Sequence, residues 1–224
     1  MNDSQVISKQ RVADHGEVLT NAREVNAMLD LVKDQTERID SRFLEPACGN
    51  GNFLAEILRR KLAVVEARYG RSQLDWERNA VLAVSSVYGI DILEDNVRDC
   101  RKRLFEVFDA VYAARFREQA RDECRDAVRF LFSRNIIWGD ALSLKTVGGS
   151  TPGAAQPIIF SEWSPVNGSM MKRRDYMLSY LVEKTHQYEM FNDENEAASV
   201  PLAVKEFPLV HFLQLSEDRS TDAQ

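Results

Sequence analysis

Two glycines one residue apart stand between apolar runs in the segment Phe43-Leu44-Glu45-Pro46-Ala47-Cys48-Gly49-Asn50-Gly51-Asn52-Phe53-Leu54. Gly49 and Gly51 permit a tight backbone and the close approach of a ligand. The apolar residues Phe53, Leu54, Ile57 and Leu58 then open an amphipathic helix, whose first N–H groups are free to face that ligand. Strand, glycine turn and helix in this order begin a nucleotide-binding βα unit. A dinucleotide site would add a third glycine and an acid about twenty residues on. Leu54 takes the third glycine's place and Asp91 lies far beyond that spacing, so pyrophosphate is disfavoured. A cofactor without phosphates, such as S-adenosylmethionine, asks less of the helix dipole. The plain alternative is that two glycines simply turn a strand into a helix.

Acids follow two later apolar runs. Asp91 closes Val87-Tyr88-Gly89-Ile90-Asp91, and Asp140 closes Ile136-Ile137-Trp138-Gly139-Asp140. In an open α/β sheet, ligands lie at the carboxyl ends of the strands. Glu45, Asp91 and Asp140 would then share one crevice. An acid after the second strand suits two ribose hydroxyls, and one after the third can accept a hydrogen bond from an adenine amino group. Taken singly, each is an ordinary loop carboxylate.

The elements that must position these residues follow from periodicity. Val25, Met28, Leu29 and Val32 mark a first helix, capped by Thr20 or Asn21. Residues 33–40 read as a loop or frayed helix end. Strands are expected at 42–45, 87–92, 135–141 and 157–161, and a last one at 207–215. Helices are expected from Phe53, over 75–87, over 96–132 as two pieces, and over 172–184 as a basic amphipathic helix. Residues 147–156 and 186–199 read as loops. Alternating strands and helices give an α/β class with a mainly parallel sheet flanked by helices. One domain over 1–215 is expected, with 1–12 flexible and 216–224 a disordered tail.

The chain has 224 residues and a net charge of −6, without the basic footprint of a protein that grips DNA alone. Cys48, Cys100 and Cys124 lack metal-ligand spacing, so no metal site is expected, and Cys48 reads as a small packing residue. No apolar run reaches the roughly 18 residues that cross a membrane, and no secretory pattern opens the chain. The expectation is a cytoplasmic protein.

From about Val12 to Asp175 the sequence resembles the adenine-N6 DNA methyltransferases of restriction-modification systems, of the modification-subunit type. His15-Gly16-Glu17-Val18-Leu19-Thr20 resembles the family's G-x-x-F-T-P motif. Residues 44–54 are similar to its D-P-A-C-G-x-G-x-F-L motif, the most specific stretch. Residues 88–94 resemble the strand that carries the ribose acid, and residues 135–142 its N-I-x-x-G-D-A-L. The resemblance implies a Rossmann-like methyltransferase fold, cut short at its C-terminal end, and S-adenosylmethionine as cofactor. It implies that Thr20, Glu45, Gly49 and Gly51 hold the methionine end, that Asp91 takes the ribose, and that Asp140 and Phe53 contact the adenine side.

The family's catalytic N-P-P-Y or D-P-P-Y should follow the fourth strand. Ser161-Glu162-Trp163-Ser164-Pro165 stands there instead, and Asn21 replaces a proline after Thr20. Ser161 or Glu162 could accept a hydrogen bond from the target amino group, and Trp163 could stack on a flipped base. Lys172, Arg173 and Arg174 are candidate phosphate contacts. No separate target-recognition domain is expected within these residues, so DNA would be reached through a specificity or restriction subunit. Three readings stay open: a DNA adenine-N6 methyltransferase, a catalytically inactive cofactor-binding module that docks on a partner, and a small-molecule or RNA methyltransferase on the same fold.

Overall fold

The computed structural model describes residues 20–148, 155–182 and 202–221. Strands β1 (Phe43–Glu45), β2 (Val87–Asp91) and β3 (Ile136–Asp140) form a parallel sheet in that order, and the short β4 (Lys145–Thr146) runs antiparallel to β3. Between them lie helices α3 (Asn52–Tyr69), α4 (Gln73–Ser85), α5 (Glu94–Phe116) and α6 (Asp122–Asn135), preceded by α1 (Ala22–Asp30) and α2 (Lys33–Thr36). The chain is therefore α/β, with a mostly parallel sheet flanked by helices. Among the described residues no helix is long and apolar enough to cross a membrane.

All of β2 is buried, as the middle strand of a covered sheet must be. Its alternation divides the core in two. Val87 joins the large cluster built on the helices, and Gly89 packs on Leu54 and Cys48. Tyr88 and Ile90 point the other way, into a cluster with Ile158, Phe160 and Leu178. In α4, Trp76 is fully buried, stacks on Tyr112 of α5 and donates from Nε1 to Glu66 of α3 at 2.9 Å.

The second half of the chain departs from the sequence-based reading. The fourth strand, β5 (Ile159–Val166), does not extend the parallel sheet. It pairs antiparallel with β6 (Met170–Met177) through all eight residues. The helix expected over 172–184 is thus corrected to a strand, and helix begins only at residue 178. Met171, Arg173 and Asp175 are buried, while Lys172, Arg174 and Tyr176 are half-buried. That period-two pattern is hidden because its inward positions carry charge. The hairpin covers the Tyr88 and Ile90 face of the sheet. Of the last strand expected over 207–215 only β8 (Val210–His211) is strand, and it pairs with β6, as does β7 (Lys205–Glu206) just before that stretch. A 3-10 segment, Phe212–Thr221, follows and includes residues assigned to a tail from sequence. Phe212 and Leu215 anchor it in the core. Residues 1–12 and 186–199 lie outside the described residues.

At the amino end of the sheet, Lys61 of α3 is fully buried. Its Nζ donates to Ile39 O at 3.2 Å and also to Ser41 O and Ser86 Oγ, which joins the approach to β1 to the start of β2. Three oxygens make a cation tolerable there, yet burial lowers its pKa from 10.5 to about 7. Below pH 7 both folded and unfolded chains carry the proton. Between pH 7 and 10.5 only the unfolded chain binds it, so stability should rise with pH across that window. Urea unfolding at a series of pH values measures this. Lys61→Met should remove the rise, whatever it does to absolute stability.

Candidate functional site

The turn between β1 and α3 is held from below by backbone bonds. Cys48 N–H donates to Ile90 O at 2.9 Å, and Gly51 N–H to Cys48 O at 2.8 Å. Gly49 and Gly51 have φ of 51° and 87°, in the left-handed region that favours glycine. Gly51 faces α5: a Cβ there would sit 2.7 Å from Cys100 Sγ. Its lack of a side chain therefore serves the close packing of turn on helix, rather than an open ligand surface. Cys48 is buried beside Cys100, and contact with that thiol together with burial pushes its pKa far up, which removes it as a thiolate nucleophile.

Asp91 ends β2 and is almost wholly buried. Its Oδ2 accepts the Gly49 N–H at 2.8 Å. Its Oδ1 accepts from Leu93 N–H at 2.9 Å and Asn96 Nδ2 at 3.2 Å. A carboxylate has about four lone-pair sites, so three of them hold the turn and the start of α5. Asn96 was not singled out from sequence, although a side-chain amide at a helix start after a strand-end acid is a readable signal.

Strand register sets the other acids. Glu45 pairs with Gly89, and Asp91 with Trp138. Each strand therefore ends two residues beyond its neighbour, and Glu45, Asp91 and Asp140 step across the carboxyl edge of the sheet. At about 3.3 Å per residue, each step is roughly 6.6 Å along the strands. Glu45 is half-buried, and burial raises its pKa. Asp140 is turned onto its own loop. It accepts the Leu142 N–H at 2.9 Å and a bond from Ser143, which lower its pKa. Trp138, another residue that sequence reasoning missed, donates from Nε1 to Ile92 O at 3.0 Å, just past Asp91.

Helix α3 starts at this crevice with Gly51 as its N-cap, so no side chain caps it and no acid lies in its first turn. Phe53 is half-buried in that turn and packs on the core. Asn52 Nδ2 donates to Thr20 O at 3.0 Å, while its Oδ1 accepts from Arg103. The Thr20 carbonyl thus meets the start of α3, and Asn21 rather than Thr20 caps α1. Asn50 Oδ1, within the turn, is buried and has no partner among the described residues. Among those residues no group of acids, histidines and cysteines could hold a metal ion.

The proposed catalytic segment lies elsewhere. Glu162 pairs with Arg42, which precedes β1, whereas the glycine turn follows it. Trp163 is 5% exposed, packs edge-on against Phe130 and donates to Asn135 Oδ1 at 3.2 Å. Its indole is held in the core, away from the glycine turn, and its small exposed part borders a groove at the other end of β1. Ser161 is buried, and its Oγ is shared between Asp175 at 2.7 Å and Arg173 at 3.2 Å. The strand alternation that puts Glu162 outward puts Ser161 and Trp163 inward, so the three do not converge on one substrate. The basic run is corrected at Arg173, which is buried, while Lys172 and Arg174 are partly exposed and paired. Arg173 is 2% exposed and paired with Asp175, Lys172 is paired with Glu206, and Arg174 lies between Glu206 and Glu162. These charges serve the hairpin.

Comparison with known protein families, with curated proteins and with solved structures finds no match to this chain.

Two stability measurements check this geometry. Gly51→Ala should destabilise by about 1–3 kcal/mol, since it adds overpacking to a left-handed φ, and Cys100→Ala in the same chain should recover part of the loss in urea unfolding. Trp163→Ala should cost about 3–5 kcal/mol, the range for emptying a buried aromatic site. A Trp163→Ala protein as stable as wild type would show that the indole is not a core residue.

Proposed function

We propose that this chain is an S-adenosylmethionine-binding module of the adenine-N6 DNA methyltransferase type, on a Rossmann-like methyltransferase fold, and that it works with a partner subunit rather than as a complete enzyme. The observation that carries the reading is the staggered row of Glu45, Asp91 and Asp140 at the ends of three adjacent strands, beside a glycine turn and an uncapped helix start. Resemblance of the motifs around Thr20, the glycine turn, Asp91 and Asp140 points the same way.

The residues present fit the cofactor. The uncapped N–H groups of α3 suit the methionine carboxylate. The unpartnered Asn50 Oδ1 offers a hydrogen-bond acceptor in the turn. Glu45 sits close enough in sequence to take the ammonium, and the remaining lone pair of Asp91 suits a ribose hydroxyl. When bound, S-adenosylmethionine supplies an electrophilic methyl group on its sulfonium. The chain's own part is to bind and orient it. Gly49 and Gly51 shape the turn, and Asp91 holds that turn in place while it faces the ligand.

The module reading is preferred to the enzyme reading because Ser161 and Trp163 are buried in the fold and Glu162 pairs with Arg42 at the far end of β1. A partner would then provide the acceptors for the adenine amino group and the stacking aromatic, and a specificity or restriction subunit the recognition of DNA.

Calorimetric titration tests the reading. Wild type should bind S-adenosylmethionine, and Asp91→Asn should weaken that binding by about 1.5–3 kcal/mol, the range for hydrogen bonds to a charged group. The isolated chain should transfer no methyl group to mixed-sequence DNA. Absence of S-adenosylmethionine binding by folded wild type would overturn the module, and turnover by the chain alone would restore the enzyme.

A further inference from the structure

A second concave site lies at the opposite end of β1 from the glycine turn. It is a groove of about 590 Å³ whose walls include Arg38, Arg42, Arg68, Tyr69, Asp40 and Ser86. Three guanidinium groups and one carboxylate share this space on a chain whose net charge is −6. Asp40 takes up part of the charge through a 3.5 Å pair with Arg38, both more than half exposed. Arg42 is engaged with Glu162 yet remains 57% exposed. The Arg38–Asp40 pair, exposed on both sides, is of the weak surface kind, whereas Glu162 in the Arg42 pair is 21% exposed, so Arg42 would meet a phosphate with its remaining guanidinium N–H groups. Arg68 projects from the last turn of α3 and is exposed. The half-buried Tyr69 beside it adds an aromatic wall.

Arginine is suited to phosphate, because its planar fork of donors matches phosphate oxygens. Basic side chains interleaved with an aromatic are the features with which proteins hold single-stranded nucleic acid: cations follow the backbone and a ring stacks on a base. Local concentration of positive charge in a cleft also outweighs an unfavourable net charge at short range, since salt screens the remainder within about 10 Å.

We propose that this groove binds the phosphodiester backbone of a nucleic-acid strand, with Arg38, Arg42 and Arg68 on phosphates and Tyr69 against a base. The site is separate from the cofactor crevice and does not depend on it. It also replaces the basic run of the hairpin as the nucleic-acid surface of the chain.

The test is fluorescence anisotropy of a short labelled single-stranded oligonucleotide with the full chain, between roughly 50 and 200 mM salt. Three phosphate contacts predict a log–log salt slope of about −2, at about −0.7 per phosphate on a single strand. Arg38→Ala with Arg68→Ala should reduce the slope by about 1.4 and weaken binding about tenfold or more at the low-salt end. Both side chains are exposed, and an unchanged melting temperature establishes that this double variant is folded. Arg98→Ala with Lys102→Ala removes the same charge from exposed positions on α5, outside the groove walls. It should leave slope and affinity near wild type. Tyr69→Leu should weaken binding with the slope retained. Pyrophosphate serves as the competitor that carries phosphate without a strand, and should compete poorly at equal phosphate concentration. Wild-type binding by the Arg38 and Arg68 variant, equal losses in the two double variants, or full competition by pyrophosphate would each overturn the proposal. S-adenosylmethionine affinity should not change in any of these variants, so the outcome is read apart from that of the cofactor site.

Discussion

The carboxylate of Asp91 is the constraint on which the site depends. It holds the Gly49 N–H on one oxygen and the start of α5 on the other, with Asn96 as its side-chain partner. A buried charge is costly unless it is hydrogen-bonded, and here the polar groups it satisfies belong to the two segments that a ligand would touch. Turn and helix are therefore placed relative to each other by one residue. Close packing of Gly51 on Cys100 does the same from the opposite side. Removing either contact would loosen the glycine turn, even though neither residue needs to meet a ligand to matter.

This division of labour changes how the glycines are understood. The motif suggests that both exist to let a ligand approach. In the fold, the Gly49 N–H is committed to Asp91 and the Cα of Gly51 is pressed on α5. The groups left for a ligand are the buried, unpartnered Asn50 Oδ1, the first N–H groups of α3 and the half-buried carboxyl of Glu45. The left-handed backbone is required in both accounts, so glycine is needed at these positions whichever account is right.

The first two-thirds of the fold could be read from sequence because local signals there agree. Apolar period and turn chemistry mark β1, α3, β2, α5, α6 and β3 close to where they occur. Ser72 caps α4 through a bond to the Asp75 N–H at 3.3 Å, which moves its start ahead of the expected Asp75. The hairpin was misread because its inward positions carry Arg173 and Asp175. With Lys172 and Arg174 between and beside them, four consecutive charges erase the apolar alternation that marks a strand. Only the tertiary contact, with Arg173 over Phe207 and its Nε 2.9 Å from Asp175 Oδ1, makes burial of that charge tolerable. The same effect hid the fate of Trp163: a tryptophan beside a glutamate gives no indication of which one points inward until the pairing partner is known.

The acidic net charge and the basic side chains can be reconciled by asking where each cation is spent. Arg173, Arg174 and Lys172 neutralise Asp175, Glu162 and Glu206, and the hairpin needs them there. Arg125 is likewise committed to Asp109, and Arg60 to Glu56 and Asp30. A count over the sequence therefore overstates the negative potential at some places and the positive potential at others. What an anion meets is what remains after this pairing: around Arg38, Arg42 and Arg68, Asp40 and Glu162 offset two of the three charges, and one positive charge remains within a concave wall. Because field strength in a cleft follows local charge rather than the chain total, an acidic protein can still present one basic groove.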